Sequence, residues 1–509
     1  MLWQLLGLFV LLWTVTWRWR NRRLIALSKQ FRSKHVALPL IGHSYLFLGS
    51  DEDRMNMFKK KGKEAVENGG LLSHWQGSRL YIFVGDPETA EFLLKTCLEK
   101  DDITRFFRVL LGNGSIFAPV SIWRPRRKIL APTFSPKNLN MFVQIFGKQS
   151  NILATRLRAV AGSGSFSIWK YLTTYTMDSV CETTLGTEIG AQLKPEQPFL
   201  RAFESCCRID AKRVCQPWLH HEGVYRCVAP EALKLHTQSK ELIWDFMNEV
   251  IVIIKLLENY LIFLSWLRSK YNIFILESNE GLKTFLELLI DGSGGSQGYS
   301  NAELREETLV IVLAGTDTSA VGTAFVTIML AKHPEVQERV YQELREVFGD
   351  SSRAVSAEDL PHLKYLDAVI KESLRLYPPV PFIVRRIHRD VTLPSGVTLI
   401  EGCGLFVSIW SIHRNPRYWG EDAEEFRPER FIDAPIKHPV AFMPFSHGPR
   451  NCLGYQYAMM SMKTALATLL RQYRVSPGSE EYNRKELRVQ FDIMMKDVNG
   501  FVVQLDLRH

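Results

Sequence analysis

The sequence lacks any pattern of paired cysteines. Its eight cysteines, spread over 509 residues, include no CxxC pair and follow no regular spacing. A disulfide framework or a zinc ribbon needs such spacing, so we expect neither. The adjacent Cys206 and Cys207 cannot easily serve one tetrahedral metal ion, and we expect both to be unpaired thiols.

The sequence also lacks a linker, because no long run of glycine and serine or of proline divides it. Hydrophobic residues make up 46% and charged residues 23% of the chain, which is ordinary globular usage. Disordered and fibrous classes are therefore excluded. At about 150 residues per domain the length would suggest three domains, but the missing linkers favour one large domain after a short leader.

No basic run is interleaved with stacking aromatic residues, although the net charge is +9. Lysine and arginine are dispersed instead, which does not fit a single-strand nucleic-acid binder. We expect no nucleic-acid partner. Anionic lipid or an acidic protein partner explains the charge more simply.

The first 17 residues carry no charged side chain, and RWRNRR follows at once. Trp13, Trp17 and Trp19 crowd this boundary, where indole rings favour the membrane interface. We predict an uncleaved membrane anchor at 1–17, a basic linker at 18–40 and a catalytic domain at 41–509. The rival interpretation, a cleaved signal peptide, would place basic residues before the apolar run and small residues after it.

If residues 1–17 are an anchor, the positive-inside rule places the amino terminus in the lumen of the endoplasmic reticulum. Everything from Arg18 onward then lies on the cytoplasmic side. A reducing cytosol agrees with unpaired cysteines.

Helical patterns dominate the rest of the chain. We predict helices over 301–332 and 363–377, and a last helix from Cys452 to about residue 473. Two short strands are expected around the turn at 76–78, and more at 380–406 around a turn at 394–396. The fold is thus mainly α with a small β-rich lobe.

Residues 243–276 are unusually apolar, but Lys255 and Glu258 interrupt the run. Three interpretations are open: a buried or membrane-dipping helix, a second membrane span and a gene-model error. The sequence favours the first of these.

The stretch FSHGPRNCLG, residues 445–454, places one cysteine between two glycines and an arginine. A cysteine at the first turn of a helix meets the helix dipole and unpaired N–H groups, which favour the thiolate. Gly448 and Gly454 would let a flat cofactor approach closely and allow a tight turn. Arg450 can pair with a carboxylate.

This stretch matches every fixed position of F-x-x-G-x-R-x-C-x-G, the haem-binding signature of the cytochrome P450 family of haem-thiolate monooxygenases. The resemblance covers nearly the whole chain. The residues around the motifs most resemble those of the insect fatty-acid hydroxylase-like clan. It implies the P450 fold, haem b as cofactor and Cys452 as axial ligand of the iron. Phe445, Gly448, Arg450 and Gly454 become haem-binding residues.

Two further motifs follow the family's order. Glu372 and Arg375 resemble its E-x-x-R pair, which three-residue spacing places on one helical face. Arg430, in PERF at 428–431, resembles the arginine that joins that pair in a buried ionic cluster. The resemblance implies a structural role for all three.

Trp123 and Arg127 resemble the family's W-x-x-x-R beside the haem, and Arg385 falls where the family supplies another propionate contact. Pro125 departs from the helical pattern. We expect it to be tolerated only within the first turn of a helix.

The apolar stretch of 301–332 contains AGTDTS at 314–319, similar to the family's A-G-x-D-T-T/S. An acid and a hydroxyl in a buried helix are costly unless partnered, and oxygen chemistry needs delivered protons. We therefore predict Asp317 and Thr318 as catalytic residues. Ala314 stands where many members of the clan have glutamate, so an ester link from that side chain to haem is not available.

The resemblance implies insertion of one oxygen atom of O2 into a lipophilic organic substrate, such as a fatty acid, a hormone-like lipid or a xenobiotic. Electrons would come from NADPH through a separate cytochrome P450 reductase, with cytochrome b5 as a further candidate donor. Two alternatives stay open: a haem-thiolate isomerase or dehydratase without reductase, and a non-catalytic haem sensor or carrier.

Overall fold

The computed structural model describes residues 2–194, 196–249, 283–294 and 298–508. Within these ranges the chain is mainly helical and contains four small β-sheets. Most of the apolar segment 243–276 lies outside the described residues.

The helices of the first half are α1 Leu2–Arg20, α2 Arg22–Gln30, α3 Asp51–Glu67, α4 Pro87–Thr96, α5 Arg105–Leu111, α6 Val120–Leu130, α7 Pro136–Arg158, α8 Trp169–Leu185, α9 Pro198–Cys215, α10 Glu222–Val228 and, as far as it is described, α11 at 230–249. Those of the second half are α12 Phe285–Ser293, α13 Asn301–Lys332, α14 Pro334–Phe348, α15 Lys364–Leu376, α16 Ile409–Ile412, α17 Pro416–Trp419, α18 Arg430–Asp433 and α19 Tyr455–Gln472.

Helix α13 runs through the core, as its apolar sequence predicts. Ser300 caps its start in a capping box with Glu303, and the helix ends at Lys332, with His333 as its C-cap before Pro334. Its 32 residues span about 48 Å and pack against α8, α15 and α19. Among the described residues it is the helix long and apolar enough to cross a membrane, but most of that stretch is buried inside the protein.

The predicted helix at 363–377 is confirmed as α15, one residue shorter at each end. Its apolar stripe of Leu366, Val369, Ile370 and Leu374 is almost wholly buried. The helix ends before two consecutive prolines, which cannot continue it.

The strands are β1 Leu71–Gln76, β2 Arg79–Val84, β3 Phe166–Ser167, β4 Phe382–Arg386, β5 Val391–Thr392, β6 Thr398–Leu399, β7 Gly404–Ser408, β8 Tyr473–Pro477, β9 Val489–Asp492, β10 Met494–Asp497 and β11 Val502–Leu507. The largest sheet has the order β1-β2-β7-β4, so it joins amino-terminal strands to the segment around 380–408. This confirms the predicted β-rich lobe. Gly77, with φ of +59°, makes the predicted turn between β1 and β2.

The segment predicted as a basic linker, 18–40, folds onto this lobe. Leu27 of α2 is buried among side chains of β1 and β2. The backbone N–H and the hydroxyl of Ser73 donate to the carbonyls of Phe31 and Ser28, at 2.7 and 2.9 Å. At the end of α1, the ring of Trp17 lies 5.5 Å from that of Trp75.

Two local expectations are wrong. Pro125 lies in the second turn of α6, which starts at Val120, so it removes an N–H that would otherwise bond within the helix. The last helix starts at Tyr455 with Gly454 as its cap, and Cys452 precedes it. The backbone N–H of Cys452 instead donates to the carbonyl of Phe445 at 2.9 Å, which keeps residue 452 in the preceding loop.

Candidate active site

A largely apolar cavity of about 390 Å³ lies between helix α13 and the loop that carries Cys452. Ala314, Gly315 and Thr318 form part of its wall on the side of α13. Phe445 and Cys452 of the cysteine loop form another part of the wall, so the cavity joins two segments that are far apart in the sequence.

The loop at 445–454 is closed by its own backbone. Besides the bond from Cys452 to Phe445, the N–H of Asn451 donates to the carbonyl of Gly448 at 3.0 Å. Gly448 has φ of +76°, and a Cβ there would lie 2.8 Å from the carbonyl oxygen of Leu94. The glycine is therefore required by the turn and by the contact with α4.

Cys452 is exposed and forms part of the cavity wall. Burial raises the pKa of its thiol, although the backbone N–H of Gly454 and the Arg127 guanidinium both act to lower it. The expected preference for thiolate at a helix start is thus outweighed by burial in the protein alone. A coordinated metal ion removes a thiol proton outright.

Arg127 fixes the residue next to this cysteine. Its two terminal nitrogens donate to the carbonyl and the side-chain oxygen of Asn451, at 2.8 and 2.6 Å. The structure therefore gives Arg127 a contact with the cysteine loop.

Besides Arg127, three cations that lie near one another line the cavity at one end: Lys100, Arg385 and Arg450. The guanidinium of Arg450 stacks 4.4 Å from the ring centre of Trp123 and donates to the carbonyl of Ala118 at 2.6 Å. Burial and the charge of Arg450 lower the pKa of Arg385 to about 10. Burial likewise lowers the pKa of Arg450 to about 10, and that of Lys100 well below its usual value.

This end of the cavity fits a group with two carboxylates. In the described part of the chain, Nε and Nη1 of Arg450 and Nε of Arg385 are buried without a hydrogen-bond partner. None of the three cations forms an ion pair with the described acidic residues. Buried charges without a partner are costly. Haem would place its flat apolar ring in the cavity, and its two propionates would pair with these cations.

Thr318 and Asp317 lie on different faces of α13. Thr318 lines the cavity, and its hydroxyl donates to the carbonyl of Ala314 at 2.6 Å. Asp317 is buried outside the cavity lining, with Oδ1 3.4 Å from Nζ of Lys496. At Gly315 a Cβ would lie 3.0 Å from Cγ2 of Val180, so the glycine also lets α13 approach α8 closely.

Behind the cysteine loop, Glu372 and Arg375 form a fully buried ion pair with two hydrogen bonds, at 2.7 and 2.8 Å. Nε of Arg430 lies 3.3 Å from the same carboxylate. Arg375 also donates to the carbonyls of His413 and Ala423, at 2.9 and 2.6 Å. The structure thus brings the three residues of the predicted ionic cluster together and ties them to the segment that precedes the cysteine loop.

The family model for cytochrome P450 matches residues 34–502 of the chain. The chain belongs to the cytochrome P450 family. It is similar to cytochrome P450 4d2 of Drosophila melanogaster, with 31% identity over 96% of this chain and 95% of that protein. It is also similar to cytochrome P450 4V2 of Mus musculus, with 32% identity over 99% of this chain and 94% of that protein.

This cytochrome P450 is therefore a haem-binding oxidoreductase of the monooxygenase class, as the sequence predicts. Membership also implies an electron-donating partner and a lipophilic substrate. In the cytochrome P450 the cysteine loop, the cation cluster and α13 all meet at one cavity.

Sequence reasoning missed two lysines of this cytochrome P450. Lys100 lies in the stretch LEKDDI, which looks like a charged surface, and no periodicity marks it as a cavity residue. Lys496 lies far along the chain from Asp317, in a carboxyl-terminal hairpin that was not predicted. Neither position carries a motif, so only the tertiary structure reveals them.

Proposed function

We propose that this cytochrome P450 inserts one oxygen atom of O2 into a lipophilic organic molecule, using electrons from NADPH passed on by a separate reductase. Fatty acids, hormone-like lipids and xenobiotics are the candidate substrates. One observation carries the proposal: Cys452 and Thr318 line the same largely apolar cavity.

Cys452 is proposed as the axial ligand of the haem iron. Arg450 and Arg385 would hold the propionates with their free N–H groups, and Trp123 would keep the Arg450 guanidinium in place. Arg127 would set the loop through Asn451. Phe445 and Gly454, which also line the cavity, would border the ring, and Gly448 would shape the loop.

Haem, when bound, supplies the activation of O2. The chain's own contribution is to exclude water with apolar walls and to move protons. Thr318 Oγ1 would hold a proton at the cavity wall, and the carboxylate of Asp317 would exchange protons from the far side of α13. The buried Asp317 beside the hydroxyl of Thr318 favours a monooxygenase over an isomerase or a haem carrier, neither of which needs an acid there.

We also propose residues 1–17 as an anchor in the endoplasmic reticulum membrane, with a cytoplasmic catalytic domain. The charge-free run followed by RWRNRR supports this orientation. All eight cysteines lie in described residues and none forms a disulfide, which agrees with a reducing compartment. NADPH-cytochrome P450 reductase, and cytochrome b5 as a second donor, are the proposed partners.

The test is product formation under labelled O2. The purified protein is mixed with reductase, NADPH and a panel of fatty acids and other lipophilic compounds. We expect NADPH-dependent products that carry one labelled oxygen atom. Product without NADPH, unlabelled, would point to an isomerase or dehydratase, and haem binding without any turnover across the panel would favour a carrier.

A further inference from the structure

The ammonium group of Lys496 lies between two buried carboxylates. Its Nζ is 3.4 Å from Oδ1 of Asp317 and 3.5 Å from Oδ2 of Asp492. The three residues are between 3% and 7% exposed. In the described residues, Oδ2 of Asp317 and Oδ1 of Asp492 have no hydrogen-bond partner. One ammonium group therefore lies beside two carboxylates, each of which has an oxygen free to accept a further hydrogen bond.

The hairpin that carries Lys496 also reaches the cavity. Strands β9 and β10 pair with Asp492 opposite Met494, and Ile493 between them has φ of +59°. Phe491, Ile493 and Met494 line the cavity. The same tight turn therefore presents apolar side chains to the cavity and Asp492 and Lys496 to the buried face of α13.

Other charged groups near this cluster are mostly negative or distant from Asp317. The charge of Glu204, on α9, acts to raise the pKa of Asp317. The Trp169 indole donates a hydrogen bond to Glu204 at 2.9 Å, and Nζ of Lys496 lies 4.9 Å from the centre of the Trp169 ring. The other groups that interact electrostatically with Asp317, Asp492 or Lys496 are the Cys207 thiol, the exposed Arg208 and Asp51. Lys496 is thus the buried cation of a cluster rich in acids.

We propose that Lys496 is a positioning residue that holds Asp317 as a carboxylate turned away from the cavity, and that Asp492 competes for the same ammonium. The inference rests on the proposed role of Asp317 in proton transfer. Moving the ammonium towards Asp492 frees Asp317 to take up a proton, and moving it back releases that proton.

The electrostatics agree with this geometry. Burial raises the pKa of Asp317 while Lys496 acts to lower it. Burial likewise raises the pKa of Asp492 to about 6, with Lys496 lowering it and Asp317 raising it. Burial acts to lower the pKa of Lys496, but the two carboxylates outweigh this and raise it, so the lysine stays charged.

The two partners of Asp317 should shift its titration in opposite directions. Lys496→Met removes a positive charge and should raise the pH midpoint of Asp317 by about 1–3 units. Asp492→Asn removes the competing acid and should lower the same midpoint. Infrared absorption of the protonated carboxyl, followed against pH in the holoenzyme without substrate, measures the midpoint directly, and Asp317→Asn assigns the band.

Lys61→Met is the matched control, because Lys61 is also buried and pairs with a carboxylate, Glu64, at 2.9 Å, but is not among the charged groups that act on Asp317. We expect it to leave the midpoint of Asp317 unchanged. Shifts in the same direction for Lys496→Met and Asp492→Asn, or no shift in either, would overturn the inference. Should Lys496→Met fail to fold, the sign of the Asp492→Asn shift alone decides.

A second measurement separates this inference from the proposed function. Product formed per NADPH consumed is compared for Asp317→Asn and Asp492→Asn, with a substrate found in the panel. If Asp317→Asn changes neither coupling nor rate, the proposed role of Asp317 fails. If Asp317→Asn slows turnover but neither Lys496→Met nor Asp492→Asn shifts the infrared midpoint of Asp317, only the positioning role of Lys496 fails.

Discussion

The guanidinium of Arg375 binds both carboxylate oxygens of Glu372, through Nε at 2.7 Å and Nη2 at 2.8 Å, and neither side chain has exposed surface. Two-point pairing of this kind is strong, and it depends on both partners because a buried carboxylate left alone is costly.

Arg375→Ala should therefore lower the free energy of unfolding by about 3–5 kcal/mol, because it removes the two-point partner of a buried carboxylate and leaves Glu372 with Arg430 and the backbone N–H of Arg427. Urea denaturation and the haem content of the purified protein measure the effect. Arg345→Ala, at an exposed pair with Asp350, should cost no more than about 1 kcal/mol. Normal stability and haem content in Arg375→Ala would contradict the structural role.

Cys452→Ser should abolish the thiolate-type absorption band of the reduced carbon monoxide complex, since an alcohol oxygen does not replace a thiolate as ligand. Cys403→Ser is a suitable control, because Cys403 is buried and does not line the cavity. The band should persist in the control. Its persistence in Cys452→Ser would remove the cysteine from the iron.

Arg385→Met should act in opposite directions on the haem-free protein and on haem binding. Arg385 is buried and has no described carboxylate partner, so an apolar side chain of similar length should stabilise the haem-free protein by at least about 1 kcal/mol. Haem should nevertheless bind more weakly, because one propionate partner is lost. Chemical denaturation and haem titration measure the two effects.

The control for this variant is Arg417→Met, since Arg417 is exposed and lies 3.4 Å from Glu88. It should change neither quantity measurably. Unchanged haem affinity in Arg385→Met would argue against a propionate contact.

Thr318→Ala should leave haem binding and substrate affinity nearly intact while electrons are diverted to hydrogen peroxide. Asp317→Asn should instead slow turnover by about 10²–10⁴-fold, because an amide does not exchange protons as a carboxylate does. Product per NADPH and peroxide yield, measured for both variants with a confirmed substrate, are the readouts. Unchanged coupling and rate in both would exclude α13 from proton transfer.

Much of the architecture could be predicted because local signals agreed with the tertiary structure. The apolar stripe predicts α15, the turn residues around Gly77 predict the hairpin of β1 and β2, and the long apolar run predicts α13. The resemblance of PERF at 428–431 to the family's motif likewise implied that Arg430 would meet Glu372.

What could not be predicted depends on contacts across the fold. The start of α19 is set by the bond from Cys452 to Phe445, and Pro125 is accommodated inside α6 although the local rule disfavours it. The partner of Asp317 comes from a hairpin almost 180 residues away along the chain. The pKa of the Cys452 thiol depends on burial that a helix-start argument does not include.

The folding of residues 18–40 onto the β-rich lobe decides where the chain can be shortened. A soluble form that begins at residue 41 would remove Leu27 from its apolar site and take away the carbonyls that bind Ser73. The edge of β1 would then offer the free backbone N–H of Ser73 and an apolar surface to other copies of the protein. A form that begins at Asn21 keeps α2 in place and omits only the tryptophan-rich helix before it.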